Sequence, residues 1–293
     1  MTANSPTNIS ENRKKPGSKG KAKPKGRTKG KKRRRRKSKK IQLNIWVVIA
    51  IILTMAGFIA MPYLKVRPSV SDSRGAKVPV GYYCYGIDIS KYQPDICWDS
   101  LKVLTDAHGR TISSPTHAKN IKNISYVFIK ATEGSSLKDK HFKKHWRNAG
   151  KAGIRRGAYH FFRSSKDAGE QARHFINTVG KLTANDLPPV LDIETIHRGC
   201  SRKTLNDKAL TWLRIVENHY GRKPIVYSSA SFLKNNLCDE ILDNYPIWVA
   251  HYGAARPRCD RWHIWQFADD AVVYGIDGEV DLNVTSERML RSL

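Results

Sequence analysis

Five carboxylates carry the chemistry that this sequence offers. Asp192 and Glu194 close the run Pro188, Pro189, Val190, Leu191, Asp192, Ile193, Glu194, in which a double proline leads into an apolar stretch of strand character. Residues i and i+2 of an extended strand share a face, so the two acids point the same way. Like charges that close disfavour joint ionisation, and one of them keeps its proton near neutral pH. A protonated acid beside a carboxylate is the pair that glycosidic cleavage requires. Taken alone, the same spacing also describes a strand ending in a solvated acidic turn. Asp88, Glu133 and Asp281 each end, follow or sit in another short apolar run, and what these acids do depends on whether the fold gathers them.

From Tyr83 onward short apolar runs alternate with amphipathic ones. The pattern predicts strands over 85–89, 126–130, 157–162, 190–193 and 224–228, with helices over 98–104, 141–151, 168–179, 203–220 and 231–237. Residues 105–120 read as a polar insertion. Strands over 247–251, 263–267 and 279–282 then follow with little room for helices. Five βα units and three more strands give eight strands, an α/β chain closing as an irregular TIM-like barrel of about 210 residues. Active residues of such barrels sit at the C-terminal strand ends. Asp88 ends the first strand, Glu133 follows the second, Asp192 and Glu194 end the fourth and Asp281 lies in the last. Closure sets the first strand beside the last, so Asp88 and Asp281 are expected to meet.

Aromatic side chains stand beside these acids: Tyr159 and Phe161, Tyr227, Trp248 and Tyr252. They offer faces to the apolar C–H side of a sugar ring, although Phe161 and Trp248 suit a barrel core equally well. His160 and His251 have no partner at metal spacing and read as hydrogen-bonded core histidines. The five cysteines (Cys84, Cys97, Cys200, Cys238, Cys259) form no C-x-x-C pair and no zinc spacing; outside the cytoplasm some of them can pair as disulfides. No phosphate-binding glycine loop and no Gly-x-Ser-x-Gly elbow is present.

The net charge of +28 over 293 residues is unevenly placed. Residues 1–40 carry 18 Lys/Arg against Glu11 alone, a net +17, and with almost nothing apolar they read as a disordered tail. Residues 41–64 are 24 residues without a charge, long enough to cross a hydrocarbon core of about 30 Å. Basic flanking residues on the N-terminal side predict a single-pass signal anchor with its N-terminus in the cytoplasm. A cleaved signal peptide is the rival, but its apolar core is shorter and no small-x-small site precedes Pro62. On this reading the tail touches anionic membrane lipid rather than nucleic acid. Residues 65–82 read as a linker, and 83–293 as the catalytic domain.

The stretches YGIDISKYQ (85–93), YVFIKATEG (126–134), GAYHFFR (157–163), PPVLDIE (188–194), PIVYSS (224–229), PIWVAHY (246–252), and IWQF with VDLN (264–283) together resemble glycoside hydrolase family 25, the Chalaropsis-type lysozymes. The resemblance spans 83–293 in the family's order. It implies a (β/α)5β3 barrel that cleaves the β-1,4 bond between N-acetylmuramic acid and N-acetylglucosamine in peptidoglycan glycan strands, without metal or cofactor. It implies Glu194 as general acid, Asp192 as the carboxylate that steers the substrate's 2-acetamido group, and Asp88 and Asp281 as the remaining catalytic acids of the groove. Glu133 matches a further acid of the family, and with it Tyr159, Phe161, Tyr227, Trp248, Tyr252 and Gln266 are the residues expected against substrate. The substrate's own acetamido group as nucleophile stays open beside a water-mediated route. Two rivals stay open as well: a wall-binding protein of the same fold without the chemistry, and a glycosidase acting on another amino-sugar polymer such as chitin.

Overall fold

The computed structural model describes residues 75–82 and 84–293. The expected tail (1–40), the expected membrane span (41–64) and the first part of the expected linker lie outside the described residues. Among the described residues no helix is long and apolar enough to cross a membrane.

The strands are β1 (Cys84–Ile89), β2 (Lys102–Thr105), β3 (Thr111–Ile112), β4 (Asn120–Glu133), β5 (Leu137–Lys138), β6 (Arg155–Phe161), β7 (Val190–Asp192), β8 (Ile225–Ser229), β9 (Ile247–Ala250), β10 (Ile264–Val272) and β11 (Glu279–Thr285). The helices are α1 (Phe142–Lys151), α2 (Ala168–Val179), α3 (Arg202–Tyr220), α4 (Ala230–Asn236), α5 (Asp239–Asn244) and α6 (Glu287–Ser292). Strands β1, β4, β6, β7, β8, β9, β10 and β11 follow one another in space, and β11 pairs back onto β1. The result is a closed barrel in which β11 alone among these eight runs antiparallel to its neighbours.

Alternation along the strands separates two cores. Ile87, Val127, Leu191, Val226 and Val249 face outward and pack with Phe175 and Trp212 from α2 and α3. Cys84, Tyr126, Phe128, Val190, Ile225, Trp248 and Ile264 face inward and fill the barrel, with Leu290 of α6 against them. Gly86 belongs to the inward row, where a Cβ would stand 2.1 Å from the Tyr126 ring. The helices that wrap this barrel start where polar caps allow. Asp167 accepts from the Glu170 N–H at α2 and Ser201 from the Thr204 N–H at α3, each satisfying an otherwise unpaired donor. Gly221 ends α3 at a φ of 67°, a left-handed position that glycine takes without strain.

The structure departs from the sequence expectations at the first crossover. Residues 98–104 were expected as a helix; they form one 3-10 turn (Trp98–Ser100) and then β2. Lys102, Val103, Leu104 and Thr105 pair with Asn123, Lys122, Ile121 and Asn120 of β4, which draws them into a strand, and Asp106 Oδ1 stops the strand by accepting from the His108 and Arg110 N–H groups, each at 2.8 Å. The expected insertion at 105–120 is ordered: β2 pairs with β3 and with the first residues of β4. The end of the expected linker is docked as well. The Val78 N–H donates to Gly109 O, the Thr111 N–H donates to Ala76 O, and Ala76 is buried. The five cysteines are free thiols rather than disulfides.

Candidate active site

The inward rows run on into the acids at the C-terminal mouth of the barrel. Asp88 continues the row of Cys84 and Gly86, Asp192 that of Val190, Tyr227 that of Ile225 and Gln266 that of Ile264. Strand register then aligns neighbours: Glu133, Phe161, Asp192, Tyr227 and Trp248 are successive partners across β4, β6, β7, β8 and β9. Asp88 stands directly opposite Asp281 across the β1–β11 pair. Beyond β7 the Ile193 N–H donates to Tyr227 O at 3.0 Å, and Ile193 O accepts from Ser228 Oγ. The chain is thereby held extended for two more residues, which brings Glu194 onto the side of Asp192.

Asp88 is buried and oriented by two amides. Its Oδ2 accepts from Gln266 Nε2 at 2.9 Å and from Asn283 Nδ2 at 2.8 Å. Each amide is fixed in turn. Gln266 Oε1 accepts from the Tyr227 hydroxyl at 2.7 Å and the Tyr252 hydroxyl at 2.6 Å, and Asn283 Oδ1 accepts from Trp248 Nε1 at 2.7 Å. Burial raises the pKa of Asp88 despite these hydrogen bonds, and burial followed by the charge of Asp88 pushes Asp281 up to about 10. Both carboxyls of this facing pair hold a proton more strongly than usual, while the two amides favour the ionised form of Asp88.

Asp192 is buried and its Oδ1 has no hydrogen-bond partner among the described residues. Burial, then the charge of Glu194, holds its pKa well above the usual carboxylate range, with Lys130 opposing. Glu194 is the exposed member of the set. Partial burial of its carboxyl, then the charge of Asp88, raises its pKa, while Lys130 and the Tyr227 hydroxyl act the other way. Glu133 differs from the other four. Burial alone would raise it, yet hydrogen bonds from Lys130 and Arg163 hold it below its ordinary range. Lys130 Nζ donates to Glu133 Oε2 at 2.8 Å and Arg163 Nε to Oε1 at 3.0 Å. The mouth thus holds one firmly ionised acid and four that retain protons more strongly than usual.

The aromatic residues divide. Tyr159 is half-buried and its pKa is raised by burial and then by the charges of Asp88, Asp192 and Asp281, which it faces. Phe161 is half-buried with Lys130 Nζ and the Arg163 guanidinium over its ring at 4.7 and 4.8 Å. Tyr252 is exposed at the rim. Trp248 and Gln266 do not line open groove, being only 2% and 1% exposed. Phe128 stacks on the Trp248 ring at 4.6 Å and Tyr227 meets it edge-on at 4.6 Å, so Trp248 is barrel core that also orients Asn283. His160 is a buried core histidine bonded to Thr132 Oγ1 at 2.7 Å and Gln171 Oε1 at 3.1 Å, and burial lowers its pKa to about 3. His251 is half-buried and its Nδ1 accepts from the Arg258 N–H at 2.9 Å. Among the described residues no group of three or more His, Cys, Asp and Glu is placed to hold a metal ion.

Three contributors were not singled out from sequence. Asn283 ends the VDLN stretch two residues beyond Asp281, and that spacing placed it on the inward row. Lys130 precedes Glu133 in the IKATEG stretch and follows Phe128 on the same row. Arg163 closes GAYHFFR, and only the fold brings it to Glu133 and to His197 Nε2, 2.8 Å away.

Comparison with known proteins agrees with this geometry. The model of the Glycosyl hydrolases family 25 matches residues 87–276. The protein YegX of Escherichia coli K12 is 40% identical over 211 residues, covering 71% of each chain. Lysozyme M1 of Streptomyces globisporus is 33% identical over 214 residues, covering 68% of this chain and 66% of that protein. Among solved structures, a bacterial lysozyme from Streptomyces coelicolor superposes with a TM-score of 0.61 at 29% identity, covering 72% of this chain and 96% of that one. A family 25 glycosyl hydrolase from Bacillus anthracis gives 0.62 at 28%, covering 76% and 98%. With its barrel, its acids and the family model over most of 75–293 in agreement, this chain belongs to glycosyl hydrolase family 25.

Proposed function

We propose that the chain is a muramidase that hydrolyses the β-1,4 bond between N-acetylmuramic acid and N-acetylglucosamine in peptidoglycan. The observation that carries the reading is the set of proton-retaining acids at one barrel mouth of a family 25 chain. Glu194, exposed and with a raised pKa, donates its proton to the glycosidic oxygen as the bond to the anomeric carbon breaks. Asp192 lies beside it with Oδ1 unpartnered, free to accept from the N–H of the substrate's 2-acetamido group and to orient that group. Water finally supplies the hydroxyl on the anomeric carbon and returns a proton to Glu194. The Asp88–Asp281 pair keeps negative charge near the oxocarbenium-like transition state.

Glu194→Gln tests the assignment. The amide keeps the shape but has no proton to give, so release of soluble fragments from purified peptidoglycan should fall by at least about 10²-fold at unchanged melting temperature. Activity within a few-fold of the parent would remove Glu194 from the role. Chitin, supplied in parallel, should stay intact.

The same reading places the barrel outside the cytoplasmic membrane, attached through residues 41–64 with tail 1–40 inside and a linker beginning at residue 65. A charge-free stretch of 24 residues flanked on one side by a net +17 supports it.

A further inference from the structure

Tyr92, Tyr252 and Tyr274 are the exposed aromatic side chains among the described residues. All three leave the acid-bearing end of the barrel: Tyr92 four residues past Asp88, Tyr252 two past the end of β9, Tyr274 two past the end of β10. Tyr92 is the most exposed of them, at 76%. A single exposed tyrosine is ordinary, but this one stands on an immobilised turn. The Ser90 N–H donates to Gln93 Oε1 at 3.2 Å, the Lys91 N–H to Asp139 Oδ2 at 2.8 Å, the Tyr92 N–H to Ser90 Oγ at 3.4 Å and the Gln93 N–H to Ser90 O at 3.2 Å. Gln93 Nε2 further donates to Glu279 O at 3.3 Å, tying the turn to β11, the strand of Asp281. Every backbone donor from Ser90 to Gln93 is used, while the aromatic ring they carry packs on little besides Lys91, whose Nζ is 5.1 Å from its centroid.

A rigid backbone that presents an uncovered ring beside a catalytic strand is preorganised for a ligand with an apolar face. We propose that Tyr92 is a stacking platform for a sugar ring at an outer subsite of the groove, away from the bond that is cut. The proposal rests on the glycan-hydrolase reading of the acids and deepens it: the groove reads a strand of several sugars, not one disaccharide. Lys91 holds one side of the ring, and the sugar takes the other.

The test is steady-state kinetics of the full-length protein and its Tyr92→Ala and Tyr92→Phe variants, on long glycan strands and on the shortest oligosaccharide the parent cleaves. Tyr92→Ala should raise KM for long strands about tenfold while kcat changes less than about twofold, the mark of lost binding rather than lost chemistry. The short substrate should be cleaved as by the parent, and Tyr92→Phe should restore the long-strand KM because stacking needs the ring and not the hydroxyl. Unchanged KM for long strands in Tyr92→Ala, or an equal loss on both lengths, would overturn the platform. A parent inactive on every glycan would overturn the glycosidase reading, and the platform with it.

Discussion

Asp88 reaches Glu194 without touching it. Two amides favour the ionised form of Asp88, whose charge is the second cause, after burial, of the raised pKa of Glu194. Removing that charge lowers the proton affinity of Glu194. The alkaline limb of the activity profile, which reports loss of the Glu194 proton, should therefore move to lower pH in Asp88→Asn, whatever the overall rate. A pH–rate profile of kcat/KM checks the sign; a limb that stays in place or moves up would separate Asp88 from the acid. At this scale the sequence was informative because the residues fall on period-2 rows. Asp192 and Glu194 share a face in any extended chain. The protonation split was not legible: it depends on which acid meets Lys130 and Arg163 and which is buried without a cation. Trp248 shows the same limit, since sequence assigns an aromatic residue to sugar or core equally well and only packing against Phe128 decides.

At the scale of elements, β1 pairs with β11 on one side, which sets Asp88 against Asp281, and with β4 on the other, which closes the barrel. That closure depends on β1 lying close to Tyr126 of β4. Gly86 permits it, with room for no Cβ beside the Tyr126 ring. Gly86→Ala should destabilise the fold by about 1–3 kcal/mol through overpacking, measured as a lower denaturant midpoint at unchanged slope. A variant as stable as the parent would show that β1 and β4 can part without cost. Strand identity was legible here from apolar runs flanked by glycine and proline, and the end of α3 from Gly221. The first crossover was not. Trp98 to Leu104 has the apolar content of a short helix, and its fate as a turn plus β2 is settled by partners far along the chain: Lys102 pairs with Asn123 and is bridged to Tyr274. A local reading holds no signal for such pairings.

For the whole molecule, charge and apolarity sort the sequence before any fold forms. The tail holds +17, and residues 41–64 hold no charge. If those features set topology, protease added to spheroplasts should digest the barrel and spare a small, N-terminally tagged fragment that stays with membranes through a high-salt wash. A soluble cytoplasmic chain would remove the anchor, and an external chain beginning near residue 65 would mark a cleaved signal. The barrel itself was legible at this scale because eight apolar runs of strand length, four of them joined to the next by helices, have few ways to close.

The sugar that the barrel leaves at the newly exposed reducing end separates a muramidase from a glucosaminidase. Digests of purified peptidoglycan by the full-length protein, reduced with borohydride and hydrolysed, should contain muramitol in proportion to the fragments released. Glucosaminitol in its place would mean that the acids at the barrel mouth cut the other bond of the strand, and would contradict a muramidase.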